Sequence, residues 1–193
     1  NWDLPGTTSL LAKDHQVIWL DVPGHGSSDK PTNDEAYGPE LVEHVARLMD
    51  HLQIKQAHLV GYSMGGIITA NFVVKHPDRV LSATLGGMGW LREGSQEQRL
   101  FANSSKDENP LAVCFRSLAK LALTEEEIKS IGVPVQILIG DGDFLKKGYV
   151  EPLQRVRQDW PVIDIQDANH ITCIFKPQFK EAIQKWLDTN RRK

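Results

Sequence analysis

The stretch that most constrains this chain is Gly61-Tyr62-Ser63-Met64-Gly65-Gly66. It follows the apolar run Ala57-His58-Leu59-Val60 and precedes Ile67-Ile68-Thr69-Ala70-Asn71-Phe72-Val73-Val74, whose composition suits a buried helix. Strand, tight turn and helix in so few residues leave the turn no room to relax. A G-x-S-x-G turn in that setting holds its serine in a strained backbone conformation, with glycines two residues to either side expected where a Cβ would strike the neighbouring strand and helix. Ser63 then projects its hydroxyl above the sheet and is the candidate nucleophile. The backbone N–H of Met64, opening the helix, points to where negative charge would develop on an attacked carbonyl, which makes it the candidate oxyanion donor.

The rest of the chain alternates strands with amphipathic helices. A short helix is predicted over Leu4 to Lys13, then a buried strand over Gln16 to Val22, broken by Pro23-Gly24-His25-Gly26-Ser27-Ser28. Pro39 opens a helix that carries Leu41, Val42, Val45, Leu48, Met49 and Leu52 on one face. Strands follow over Gln56 to Gly61, Arg79 to Leu85, Val133 to Gly140 and Val162 to Ile165. The helices among them run from the Ser63 turn to about His76, around Val150 to Gln158, and from Pro177 to about Leu187. This pattern predicts an α/β fold, a mostly parallel sheet with helices on both faces. Residues 90–131 break the rhythm with helical patches at Leu111 to Leu123 and Thr124 to Ile131, and read as a short helical insertion. Thr124-Glu125-Glu126-Glu127 is a capping-box sequence that starts its last helix. No linker interrupts the 193 residues, so residues 1–193 are expected to form one domain.

Composition narrows the function classes. A net charge of −3 does not ask for nucleic acid or an anionic membrane surface. Cys114 and Cys173 are the only cysteines, far apart, and read as two free thiols rather than a disulfide or zinc site. No apolar stretch approaches the ~20 residues of a membrane span. The expected compartment is the cytoplasm, although a chain that begins at Asn1 without methionine carries no information about a leader.

A serine hydroxyl attacks only when a base removes its proton, and that base needs an orienting carboxylate. Both belong in loops at the carboxyl ends of later strands. After the strand ending at Gly140 comes Asp141-Gly142-Asp143-Phe144, and after Ile165 comes Asp167-Ala168-Asn169-His170. His170 is the candidate base, because it alone among the histidines follows the acid in a post-strand loop. Either Asp141 or Asp143 can be the acid. Asp21 is a third candidate, better suited to tying down the Pro23 to Gly26 turn through local backbone N–H groups. Asp141, Asp143 and His170 have a rival use as metal ligands, which is disfavoured without a further clustered His or Glu. No metal and no cofactor is expected.

These motifs resemble the α/β-hydrolase superfamily, specifically its serine esterases, lipases and related hydrolases. Asp21-Val22-Pro23-Gly24-His25-Gly26-Ser27-Ser28 is similar to the family's D-x-P-G-x-G-x-S segment. Gly61 to Gly65 resembles its nucleophile elbow, and Val133-Pro134 through Gly140-Asp141-Gly142-Asp143 its acid segment. Asn169-His170 resembles its closing G-H, with asparagine in place of glycine. The resemblance implies Ser63 as nucleophile, Asp143 rather than Asp141 as acid, His170 as base and Met64 N–H as one oxyanion donor. It also places residues 90–131 where the family carries a cap.

One departure matters. In the family, the loop with the second oxyanion N–H precedes the helix that here begins near Leu4, and follows a strand lying between those corresponding to Gln16–Val22 and Gln56–Gly61. The expectation is therefore an α/β-hydrolase fold incomplete at its amino end, with either a longer protein or a second chain completing the sheet. The expected activity is hydrolysis of carboxylic esters of small or medium acyl groups through an acyl-enzyme. Met88, Trp90 and Leu91, with Leu111, Val113, Phe115 and Leu118, are the candidate apolar pocket wall. Carbon–carbon bond hydrolysis, thioester hydrolysis and a catalytically weak ligand-binding role are the alternatives on the same scaffold. Arg92 and Arg116 would favour the first of these by holding a substrate carboxylate.

Overall fold

A computed structural model describes residues 2–191. Four parallel strands lie side by side in chain order: β1 (Ala57–Tyr62), β2 (Val80–Gly86), β3 (Val135–Gly140) and β4 (Val162–Ile165). The β3 sequence Val-Gln-Ile-Leu-Ile-Gly is buried throughout, as a parallel strand covered on both faces must be. Its alternation sorts the side chains between two cores. Ile137 and Ile139 join the larger apolar cluster on one face, while Leu138 joins the smaller cluster on the other.

The larger core holds α2 (Pro39–His51) and α3 (Met64–Lys75) against the sheet. In α2, Leu41, Val42, Ala46 and Met49 are buried, the inward face that the spacing predicts. Helix α3 is buried over most of its circumference because it lies between the sheet and the layer outside it. The smaller core holds α1 (Thr7–Leu11) and α8 (Pro177–Thr189), with Phe179 and Ile183 fully buried. Helix α7 (Glu151–Val156) links β3 to β4, preceded by a π turn at Lys146–Val150.

The insertion contains α4 (Gln96–Ala102), α5 (Pro110–Ser117), a 3₁₀ turn at Leu118–Leu121 and α6 (Glu125–Ser130). Helix α4 is absent from the sequence reading, since Gln-Glu-Gln-Arg-Leu-Phe-Ala shows only Leu100 and Phe101 as an apolar stripe. Its start is nonetheless marked by Ser95, whose side chain accepts from Gln98 N–H. The two stems of the insertion are joined at Leu123. Its N–H donates to Leu91 O, while its carbonyl accepts from Glu93 N–H and from Trp90 Nε1–H. The Thr124–Glu127 capping box then starts α6 as expected. Phe101, Val113, Leu118 and Leu121 belong to the same core as α2 and α3, so the insertion is packed onto the sheet.

The expected strand over Gln16 to Val22 is not formed. Among the described residues this run has no ladder partner, and Ile18, Trp19 and Leu20 remain partly exposed. Between them and β1 runs a groove of about 620 Å³ that extends from His15 along β1 to Ser63. The run is apolar enough to be a strand, but a strand is defined by hydrogen bonds to a neighbour, and β1 lies across the groove. Among the described residues, β1 therefore has a pairing partner on one edge only. Two further boundaries contract: the first helix is Thr7–Leu11 and the helix after β3 begins at Glu151.

Candidate active site

Ser63 sits between the end of β1 and the first turn of α3, with φ 54° and ψ −116°. That backbone region costs a non-glycine residue roughly 1–3 kcal/mol. Hydrogen bonds on both sides hold it: Ser63 N–H donates to Gly86 O at 2.8 Å, and Gly66 N–H donates to Ser63 O at 2.8 Å. Gly61 is bare for a clear reason, since a Cβ there would lie 2.0 Å from Gly65 O and 2.4 Å from Thr69 Oγ1. The expectation fails at Gly65, where a Cβ would meet nothing within 4 Å. The second crowded glycine is Gly66, whose Cβ would lie 2.9 Å from Met88 Cβ. Gly65 faces the open groove instead. Met64 is the first residue of α3, so its N–H has no acceptor within the helix and points from the positive end of the helix dipole.

The loops after β3 and β4 bring the other groups together. His170 Nε2 lies 2.9 Å from Ser63 Oγ, and His170 Nδ1 lies 2.8 Å from Asp143 Oδ2. With Nδ1 protonated and donating to Asp143, Nε2 is free to accept the serine proton. The Asp143 side chain is fully buried, and its other oxygen accepts from Leu145 N–H at 2.9 Å. A carboxylate satisfied in this way stays in one orientation and aims one oxygen at the imidazole.

The choice between Asp141 and Asp143 is a matter of geometry. Asp141 turns away from the histidine ring and accepts from Ala168 N–H at 3.0 Å and Asp167 N–H at 3.1 Å. Those backbone donors hold its carboxyl below the usual carboxylate range. Asp141 thus builds the loop that carries His170, in which Asp167 has φ 51°. Asn169, in the place of the usual glycine, adds to it by accepting from Ile171 and Thr172 N–H through its Oδ1.

Tyr62 escaped the sequence reading because it is only the variable position before the serine. Its hydroxyl donates to His170 O at 2.6 Å, and its ring lies 5.4 Å from the imidazole. Burial raises the phenol well above its ordinary value, so it stays a neutral donor.

Other candidates fall elsewhere. Asp21 accepts from Ser27 N–H at 2.9 Å and ties the Pro23–Gly26 turn, as read. Met88, Trp90 and Leu91 are all buried in the main core, and Trp90 spends its indole N–H on Leu123 O, so none of them lines the groove that reaches Ser63. Of the other pocket candidates, Val113 and Leu118 are core residues while Leu111 and Phe115 lie more than half exposed. Apolar surface does flank the histidine: Phe144 and Ile171 are 77% and 75% exposed, and Phe144 lies 5.6 Å from the His170 ring. Arg116 is paired with Asp34 at 2.9 Å, and Arg92 faces Glu97 at 3.8 Å. Among the described residues no helix is long and apolar enough to cross a membrane.

Comparison with known proteins bears on the fold that carries this geometry. Residues 6–108 match a family model described as alpha/beta hydrolase fold. The chain is 40% identical over 100 residues to the dihydrolipoyllysine-residue acetyltransferase component of the acetoin cleaving system of Pseudomonas putida, covering 50% of this chain and 27% of that protein. It is 43% identical over 77 residues to 2-hydroxy-6-oxo-6-phenylhexa-2,4-dienoate hydrolase of Comamonas testosteroni, covering 40% of this chain and 27% of that one. The matched stretch thus spans about a quarter of these curated relatives. Among solved structures, a meta-cleavage product hydrolase of Pseudomonas fluorescens superposes with a TM-score of 0.77 at 20% identity, over 99% of this chain and 85% of that one. A structure reported with carboxylesterases of Nitrososphaera gargenis gives a TM-score of 0.77 at 16% identity, over 97% and 84%. At such identities the superpositions speak for the fold, and the family-model match over more than half the chain speaks for descent. The chain belongs to the α/β-hydrolase fold family.

Proposed function

We propose that this chain is a serine hydrolase that cleaves carboxylic esters of small or medium acyl groups through an acyl-enzyme. The observation that carries the reading is the unbroken contact series Asp143, His170, Ser63 at 2.8 and 2.9 Å. His170 Nε2 takes the Ser63 proton as Oγ attacks the carbonyl carbon, and Met64 N–H holds the developing oxyanion. The imidazolium, steadied by Asp143, returns the proton to the departing alcohol. Water then enters by the same base to release the acid and restore Ser63. The exposed Phe144 and Ile171 beside His170 support an uncharged, apolar substrate.

A second reading has its own support. Relatives named as hydrolases of 2-hydroxy-6-oxo-6-phenylhexa-2,4-dienoate and of 2-hydroxymuconate semialdehyde favour carbon–carbon bond cleavage. Such a substrate is an anion, and Arg116 and Arg92, the arginines considered for its carboxylate, already face Asp34 and Glu97. The ester reading is therefore first.

The one-sided pairing of β1 and the groove ending at Ser63 support a further proposal, that an additional strand completes the sheet in the working protein. In the 193-residue chain, groove-facing amides of Ala57–Tyr62 are then expected to exchange with solvent faster than those between β2 and β3. Equal protection would count against an open edge.

Intact mass after exposure to a fluorophosphonate tests the central claim. One adduct on the wild type and none on Ser63→Ala is the expected result, and an adduct that survives the substitution would refute the assignment. A panel of p-nitrophenyl esters run beside a 2-hydroxy-6-oxo-dienoate then separates the two reactions.

A further inference from the structure

Residues 62 and 63 grip the same histidine at two points. Ser63 Oγ meets the ring at Nε2, and Tyr62 Oη donates to the backbone carbonyl of His170. The tyrosine is fitted to this position. A Cβ on Gly86 would lie 2.9 Å from Tyr62 Cδ2, and one on Gly87 would lie 2.6 Å from Cζ, so both glycines make room for the ring. Phe179 packs against the ring edge-on at 5.6 Å. Ring and hydroxyl thus have little freedom.

The bond does more than fill space. The loop bearing His170 is pinned at its start by Asp141 and in its middle by Asn169, but both contacts lie on the loop's own side of the site. Tyr62 alone among these reaches it from the nucleophile's side. An imidazole that swings about its Cα carries Nδ1 and Nε2 together between the partners that flank it, so loosening the carbonyl lengthens the contact to Asp143 or to Ser63. We infer that Tyr62 is a positioning residue: its hydroxyl, by holding the His170 carbonyl, sets the distance between the base and the nucleophile next to it in sequence. This rests on the serine-hydrolase reading for its kinetic consequence, but not for its structural one.

Tyr62→Phe removes one oxygen and keeps the ring. The control is Tyr37→Phe, which deletes a matched bond, Tyr37 Oη to Pro31 O at 2.7 Å, in which neither Ser63, Asp143 nor His170 takes part. Two measurements are made on each: the rate constant of fluorophosphonate labelling, and the low-field NMR signal of the His170 Nδ1 proton, assigned with His170→Gln. In Tyr62→Phe we expect labelling to fall roughly tenfold, as a small misplacement of reacting groups does, and the Nδ1 signal to broaden or vanish. Tyr37→Phe should keep both while losing similar stability. Placing 4-fluorophenylalanine at position 62 refills the space without a donor and should behave as Tyr62→Phe, whereas 3-fluorotyrosine should restore both signals. The inference is overturned if Tyr62→Phe matches the wild type in both measurements, or if Tyr37→Phe lowers both equally. If the wild type takes no label at all, the hydrolase reading fails, and the His170 signal still decides the role of Tyr62.

Discussion

Gly61 and Gly65 are equivalent in the G-x-S-x-G pattern, yet the structure gives them opposite consequences. At Gly61 a methyl group would lie 2.0 Å from Gly65 O and 2.3 Å from Gly65 C, both backbone atoms of the elbow. No rotamer relieves that overlap, so the strand end or the first turn of α3 must shift. Overpacking of this kind costs typically 1–3 kcal/mol, and against backbone about 3 kcal/mol is the reasonable expectation. In a domain of this size that corresponds to a fall of roughly 6–12 °C in Tm. Displacing the elbow also moves Ser63 Oγ from His170, so labelling by a fluorophosphonate should fall at least ~10²-fold. At Gly65 the added methyl meets nothing within 4 Å and the residue is helical, so Gly65→Ala should stabilise the 193-residue chain. The gain expected from helix preference is about 0.5–1 kcal/mol. Thermal unfolding followed by circular dichroism, with labelling rates on the same samples, measures both. Equal destabilisation by the two substitutions would refute the steric argument and leave a requirement for glycine at both positions unexplained.

Three other outcomes follow from particular contacts. Asp143→Asn should cut the labelling rate about 10³–10⁴-fold by losing the charge that steadies the imidazolium, whereas Asp141→Asn, which keeps an oxygen for only one of the Ala168 and Asp167 N–H groups, should cost stability in that loop and lower the rate far less. Similar losses for both would reopen the choice of acid. Ser63→Gly should raise stability by roughly 1–2 kcal/mol in denaturant titrations, because glycine accepts φ 54° without strain, and a loss would show that the serine backbone is not strained. Burial, with His15 and Arg191 nearby, lowers the proton affinity of His58 below its ordinary value. The unfolded chain then binds the proton more readily, so stability is complete above about pH 6.5 and declines as pH falls below it. Unfolding midpoints at pH 7.5 and 5.5 should differ more for the wild type than for His58→Gln, and equal differences would remove His58 from the pH response.

The turn around Ser63 was legible because its requirements are local. A strand must end, a helix must begin and one glycine must make way for a carbonyl, all within six residues. β3 and β4 were legible for a related reason, as short apolar runs bounded by breakers. The Thr124 capping box likewise depends on neighbours three residues apart. Gln16–Val22 was misread because a continuous apolar run specifies an affinity for burial, while strand pairing depends on what lies alongside. Helix α4 was missed since most of its surface is polar and its stability comes from docking on the rest of the insertion.

Within the site, the order of Ser63, the aspartate loop and His170 could be read from the chain, because each follows a strand and parallel strands deliver their carboxyl ends to one edge. Which aspartate faces the imidazole could not be read from the spacing, since Asp141 and Asp143 share a loop; only the family resemblance pointed to Asp143, whose Oδ2 lies 2.8 Å from His170 Nδ1. Nor could the fate of Met88, Trp90 and Leu91, for an apolar side chain serves a pocket wall and a core equally well by composition. Tyr62 is the sharpest case: its contact partner lies 108 residues away. Sequence by itself determined the fold family and singled out Ser63 and His170 as the candidate nucleophile and base, because their signals are local to the chain. Tertiary structure alone decided that Tyr62 reaches the His170 carbonyl and that Gln16–Val22 stays off β1, because each depends on which groups folding brings within hydrogen-bond reach.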